Sequence, residues 1–374
     1  MPDAVRPRRT PAGPAGPAGA AVAVTGAGSG AGAAVLRLLA ASPRIARVVG
    51  VDATVAAADG DLPGYAEVAW VQADILDPRL TTAFEGVTAV VHLAVDLRPE
   101  LDRSAQRQRN TRGAQTVLTA AFAAGVRRAV LVTSAMVYGA LPDNPVPLAD
   151  DAPLRAVPEA SALGDLLEIE RIAVAARRTH RGLSVTVLRP AVVLGAGDRE
   201  PLAALLSAGR LLRIRGQRGG QPYWQFCHVA DLAAAIELAA LDGLDGAATV
   251  ASEGWLDHAE LEQVTGRRSL ELPERVAMGS AERLHRLGIT AAPPSELAYL
   301  LHPWVVSSTR LRAAGWRPAY TNADAVRAHL AERTERRVAW LDARGATAAA
   351  GAAVALVGTA ALVRRARRRR ASRA

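Results

Sequence analysis

The residues best suited to chemistry lie in one short loop. Thr25-Gly26-Ala27-Gly28-Ser29-Gly30-Ala31-Gly32 follows the apolar run Ala21–Thr25 and opens an amphipathic segment, Gly32–Ala41. Glycine lets a backbone turn tightly and approach a pyrophosphate, while a helix starting there offers free N–H groups and a positive dipole end. Asp52 closes the next apolar run, 20 residues after Gly32, where a carboxylate accepts both hydroxyls of a ribose. Gly26, Ser29, Gly30, Gly32 and Asp52 are therefore expected to hold an adenine dinucleotide. No arginine stands between Arg47 and Arg79 to bind a 2′-phosphate, so the expected cofactor is NAD rather than NADP. The seven histidines show no metal-ligand spacing, and the single Cys227 excludes a thiolate zinc site and a disulfide framework. No metal is expected, and the lone thiol fits a reducing, cytoplasmic setting.

Such a loop needs a sheet and helices to position it. Short apolar runs recur at 21–25, 48–51, 68–72, 89–93, 129–133 and 184–188, and helical patterns fill most gaps, notably at 32–41, 106–124 and 165–178. Strands alternating with helices give a parallel sheet covered on both faces, an α/β doubly wound Rossmann-type domain. After Pro190 the rhythm breaks. Residues 225–229, followed by a helical 230–240, read as one more strand and helix of the main sheet. The NAD-binding domain is thus expected over 21–190 plus 225–250, and a smaller substrate region over 191–224 plus 251–335.

The chain has 374 residues, half of them hydrophobic, 22% charged and only 4% aromatic. That balance suits a soluble enzyme-like core and excludes a disordered or fibrous protein. All 45 basic residues are arginine, and the excess of nine positive charges sits in residues 1–10 and 364–374. The folded part is neutral, so no nucleic-acid partner is expected from it. Residues 1–20 read as a Pro/Ala/Gly leader that cannot build a core. Residues 345–363 carry no charge and precede the Arg-rich tail 364–374, but nine of those 19 are alanine. A helix of about 1.5 Å per residue would just cross a hydrocarbon core of about 30 Å. The tail reads as a solvated end, a nucleic-acid contact, or an anchor at the inner face of a membrane.

In order along the chain, further motifs resemble the extended short-chain dehydrogenases/reductases, the NAD-dependent epimerase/dehydratase family, nearest to UDP-glucose 4-epimerase-like proteins. They run over about 21–320: the glycine loop, although the family usually has glycine where Ser29 stands; Asp74-Ile75, resembling the adenine contact; His92-Leu93-Ala94, resembling the strand end under the cofactor; and Asn110, matching a helix asparagine. Ser134 matches the catalytic serine, and Leu188-Arg189-Pro190, His228-Val229-Ala230-Asp231 and Ala314-Gly315-Trp316 complete the series. The resemblance implies NAD held by Gly26, Ser29, Gly30, Gly32, Asp52, Asp74, Ile75, Leu93, Ala94, Asn110 and Pro190. It also implies a nucleotide-sugar-like substrate, and a homodimer is the expected assembly.

One piece of that pattern is absent. The family's proton relay is a Tyr with a Lys one helical turn later. A free phenol titrates near about 10 and is a poor base at neutral pH without a cation beside it. Ser161 and Asp165 stand near those places; no Tyr occurs between Tyr138 and Tyr223, and the chain has no lysine. Tyr138 is a candidate substitute. Glu168 and Glu170 are expected to face solvent, and Trp224, Trp304 and Trp316 to line a pocket or the core. Two functions follow: a weak or altered nucleotide-sugar enzyme using Ser134, or a non-catalytic sensor that holds NAD and a sugar nucleotide at a membrane.

Overall fold

The computed structural model describes residues 19–343 apart from 29, 55–64, 98–101, 160, 197–200, 207–209, 217–221 and 288–291. The leader, Ser29 and the segment 345–374 thus lie outside the described residues, apart from the leader's last two positions. Among the described residues, no helix is long and apolar enough to cross a membrane.

In chain order the strands are β1 (Ala20–Thr25), β2 (Ile45–Asp52), β3 (Glu67–Gln72), β4 (Ala89–His92), β5 (Arg128–Val132), β6 (Ser184–Pro190), β7 (Val192–Leu194), β8 (Leu211–Arg215), β9 (Phe226–His228), β10 (Gly246–Val250) and β11 (Ser269–Pro273). Seven of them form one parallel sheet in the order β10-β6-β5-β4-β1-β2-β3. Runs such as Val90-Val91 and Val130-Leu131 are buried on both faces, which is why they read as unbroken apolar stretches rather than alternating ones. One face packs Phe84, Leu118 and Ile169, and the other packs Val35, Leu36, Leu232 and Ile236. The order reverses between β1 and β4. In an open parallel sheet that reversal opens a crevice beyond the carboxyl ends of the strands, where ligands bind.

The strand expected at 225–229 belongs elsewhere. Phe226–His228 pairs with Val192–Leu194 in a separate two-stranded sheet, and β10 completes the main one beside β6. Phe226-Cys227-His228 is fully buried, and an apolar run shows that a strand is buried without showing in which sheet. Gly246-Ala247-Ala248 supplies little bulk and gives a weak strand signal. The helix of 106–124 is also interrupted. It forms as Arg103–Arg107, a π-helical turn Gln108–Arg112, and Gly113–Ala123. Such turns occur frequently at functional sites.

The smaller region pairs β8 with β11 and adds the helices His258–Thr265 and Glu274–Arg286 and the 3-10 turn Pro294–Leu300. Trp224, Trp304 and Trp316 are core anchors; each is less than a tenth exposed.

Candidate active site and cofactor cleft

The glycine loop folds as its composition requires. Gly26 has φ +77°, and a Cβ there would sit 2.7 Å from the Ala94 nitrogen. A Cβ at Gly32 would overlap the Gly26 carbonyl oxygen. Both positions need glycine for backbone to pass backbone. Gly30 is the N-cap of the helix Ala31–Ala40, and no side chain caps that end, so its first N–H groups are left for an anion. The Asp52 carboxylate accepts from the Gly28 N–H (2.9 Å), the Thr54 N–H (3.1 Å) and the Thr54 hydroxyl (3.2 Å). It is held at the lip of the loop.

A cleft of about 400 Å³ runs from there along the ends of β1, β4 and β5, within the size range of cofactor sites. Gly26, Gly32, Asp52, Asp74, Ile75, Leu93, Ala94, Asn110 and Pro190 line it. Gly30 stands next to its lining residue Ala31. Sequence reasoning missed Thr133, Leu166, Val193 and Ala196, which line its inner end. Thr133 could have been found as the neighbour of Ser134 and Leu166 as that of Asp165. Val193 and Ala196 carry no chemical signal. These donors fit NAD: tight glycine turns for the pyrophosphate, a carboxylate for the ribose, and an apolar slot at Ile75.

Asp52 also sets a preference. A 2′-phosphate would meet its negative charge, and no cation lies between Arg47 and Arg79 to receive one. Calorimetric titration should therefore give tighter binding of NADH than of NADPH. Asp52→Ala should weaken NADH about 10- to 100-fold, the loss of hydrogen bonds to a charged group, without unfolding the domain. NADPH binding as tight as NADH would overturn this assignment.

The other expected residues do not line the cleft; Ser134 and Asp165 are chain neighbours of its lining residues Thr133 and Leu166. Ser134 follows β5, is buried, and caps the 3-10 turn Ala135–Tyr138 by accepting from the Met136 N–H (3.2 Å). Ser161 caps the helix Ala162–Thr179 by accepting from the Gly164 N–H (3.4 Å). Asp165 lies in that helix's first turn, where a negative charge meets the positive dipole end. It is completely buried and takes two donors, Arg103 Nη2 and Asn110 Nδ2, both at 3.0 Å. Asn110 also donates to the Asp96 carbonyl (3.1 Å) and accepts the Asp96 N–H (3.0 Å). Its position in the π turn aims one amide at both partners. Arg103 thus reaches Asp165 from another helix as its counter-charge.

Tyr138 is not available to move a proton. Its buried hydroxyl donates to the Asp150 carbonyl (2.8 Å) and accepts from Arg189 Nη1 (2.9 Å). Burial pushes its phenol up to about 12, although Arg189 pulls the other way. Glu168 faces outward and pairs with Arg171 (2.9 Å), as expected. Glu170 does not. It is buried and takes Arg189 through two bonds (2.9 and 2.8 Å) and the Thr133 hydroxyl (2.9 Å). Burial opposes the Arg189 charge, but the Glu170 carboxylate outweighs it and holds the guanidinium above its ordinary value.

His92 lies under the loop, with Nδ1 2.8 Å from the Thr25 hydroxyl. Burial lowers it to about 4, so it is neutral at pH 7 and holds no phosphate as a cation. His228 caps the helix Val229–Leu238 through Nδ1. Among the described residues no His, Cys, Asp and Glu group could hold a metal ion.

Known proteins are similar to this chain. An uncharacterized protein of Mycobacterium tuberculosis is 30% identical over 311 residues, 81% of this chain and 81% of its own length. The dTDP-glucose 4,6-dehydratase of Streptomyces venezuelae, solved with NAD and TYD bound, superposes with TM-score 0.64 at 22% identity, covering 87% of this chain and all of that one. The UDP-glucose 4-epimerase of Thermotoga maritima, solved with UDP-glucose, gives TM-score 0.64 at 16% identity over 85% of this chain and 99% of its own. The pattern of the NAD dependent epimerase/dehydratase family matches residues 22–249. With its seven-stranded parallel sheet, its glycine loop and that match, the chain belongs to the NAD dependent epimerase/dehydratase family, within the extended short-chain dehydrogenases/reductases.

Proposed function

We propose that the protein binds NAD and a nucleotide sugar and performs the redox step of an epimerase or dehydratase on the sugar, with altered proton transfer and reduced turnover. The observation that carries this reading is a cofactor cleft that reaches Thr133, the neighbour of Ser134, and whose lining among the described residues has neither phenol nor lysine. Gly26, Gly32 and the open helix end would hold the pyrophosphate, Asp52 the adenosine ribose, and Ile75 the adenine. When bound, NAD takes a hydride from a carbinol carbon and gives it back. Ser134 would hydrogen-bond the reacting oxygen. The sugar would lie between the sheet and the smaller region of 191–224 and 251–335. A second cavity there, about 230 Å³, is lined by Ala140, Leu163, Met278 and Tyr299 among others.

A second reading is favoured by the Asp165–Arg103–Asn110 cluster: a module that holds both ligands without turning them over. The usual relay is worth about 10² to 10⁴ in rate. Interconversion of UDP-glucose and UDP-galactose with added NAD, followed over hours, should therefore run slower than in relay-bearing relatives by about that factor, and Ser134→Ala should abolish it. Cofactor binding without turnover on any nucleotide sugar would select the binding module. Turnover of about tens per second, ordinary for enzymes, would overturn the reduced-rate reading.

A further inference from the structure

The second cavity, about 230 Å³, opens where the smaller region meets the 3-10 turn that Ser134 caps. One wall is Gly139, Ala140 and Leu141, directly after that turn, with Leu163 in the first turn of the helix Ala162–Thr179. The facing wall is Met278 of the helix Glu274–Arg286, with Ala298 and Leu301 in and just after the turn Pro294–Leu300. Three fastenings hold the walls in place. The Ser295 hydroxyl donates to the Glu159 carboxylate (2.8 Å), and the Tyr299 hydroxyl donates to the Met136 carbonyl (2.6 Å). The Asn144 amide donates to the carbonyls of Gly139 (2.7 Å) and Pro303 (2.8 Å). The cavity is thus preformed, and it reaches the surface, because its lining residue Val157 is half exposed.

The polar groups of this wall are few and largely engaged. Ser295 and Tyr299 make the fastenings, and Arg155 pairs outward with Asp143 (2.9 Å). Arg155 and Glu274 carry opposite charges, so the wall as a whole selects neither an anion nor a cation. His302 differs. Its buried Nδ1 has no hydrogen-bond partner among the described residues, so the imidazole keeps capacity that its neighbours do not use. A sugar ring bears a hydroxyl on most of its carbons, and this wall would leave most of them unpaired. An apolar group gains by burial against it, with a single polar atom to orient it. An apolar cavity of about 150 Å³ holds a benzene molecule, so this one has room for an aryl ring with a short side chain. We propose that the second cavity binds an uncharged apolar carbonyl compound of that size, its oxygen taking a hydrogen bond from the His302 imidazole. Among the described residues it shares no lining residue with the cofactor cleft. Its occupant therefore sits beside NAD, not in its place, and the assignment stands apart from the nucleotide-sugar reading.

The test titrates the full-length protein with benzylacetone, an uncharged aryl ketone, and with glucose as the polar control. Binding is read by calorimetry and by the methyl signals of the chain's three methionines, with that of Met278 assigned through Met278→Leu. Expected are saturable binding of one ketone per chain, a shift of the Met278 methyl signal, and no binding of glucose. Saturating NADH or UDP-glucose should leave the ketone affinity unchanged. Met278→Glu, which sets a charge in the wall, and Ala298→Leu, which fills the space, should each weaken the ketone about 10-fold or more. His302→Phe, which keeps a ring but loses the bond, should weaken it about 2- to 10-fold. Val276→Glu, an exposed change on the same helix as Met278, should have no effect. No saturable binding, or a Met278 signal that stays in place while the ketone binds, would overturn the proposal in wild type alone, whatever the variants do to folding. Displacement of the ketone by UDP-glucose would overturn it as well, because the cavity would then be the place of the sugar.

Discussion

Asp165→Lys is expected to destabilise the protein by about 3–5 kcal/mol, the cost of breaking a buried ion pair. The position is completely buried, and both donors that reach it, Arg103 Nη2 and Asn110 Nδ2, point at a carboxylate oxygen. An ammonium there would face a guanidinium of like charge and leave the Asn110 amide with only one of its two acceptors, the Asp96 carbonyl. Adding Ser161→Tyr would compound the loss, because that hydroxyl is enclosed and caps the helix through the Gly164 N–H. Restoring the two-residue relay alone should therefore give a poorly folded protein rather than an active one. Urea denaturation of Asp165→Lys, with Asp165→Asn as the milder change, measures this. Combining Asp165→Lys with Arg103→Asp reverses the pair and should recover a large part of the stability. An Asp165→Lys protein within about 1 kcal/mol of wild type, the size of an ordinary substitution, would show that the cluster is not a locked ion pair.

The cofactor half of the site was legible because each of its parts has a local signature. A buried parallel strand reads as an apolar run, the loop needs glycine where backbone crosses backbone, and Asp52 must end the second strand. The surroundings of Asp165 were not, because their contacts join distant segments. Arg103 lies in a helix whose first turn precedes the expected boundary at 106, and nothing local pairs it with Asp165. The error at Glu170 is different, since the signal was present. Leu163, Leu166, Leu167 and Ala173 mark the buried face of the helix, and position 170 falls on that stripe at helical spacing. Glu168 falls off it. A carboxylate on an apolar stripe calls for a buried cation, and Arg189, in the apolar strand β6, was the candidate.

That pair gives the second large effect. Glu170→Ala should cost about 3–5 kcal/mol, since it leaves the Arg189 guanidinium, itself less than a tenth exposed, without a counter-charge. The damage should extend beyond charge. Arg189 also holds the Tyr138 hydroxyl (2.9 Å) and the Asp150 carbonyl (3.2 Å), and Asp150 in turn takes the Thr249 N–H (2.7 Å) in β10 and the Arg310 N–H (3.0 Å). One carboxylate thus anchors a network running from β5 through β6 to the edge of the sheet. Glu170→Gln, which keeps the acceptor oxygen for Thr133 but loses the charge, should fall between wild type and Glu170→Ala. The double variant Glu170→Ala with Arg189→Met should be more stable than Glu170→Ala alone, because the orphaned cation is removed with its partner. Thermal and urea unfolding of wild type, Glu170→Ala, Arg189→Met and the double variant give the coupling energy directly. Thr133 lines the cleft, so Glu170→Ala should also weaken NADH binding, by less than Asp52→Ala does. A double variant no more stable than Glu170→Ala would mean that packing around Arg189, not its charge, ties the network together.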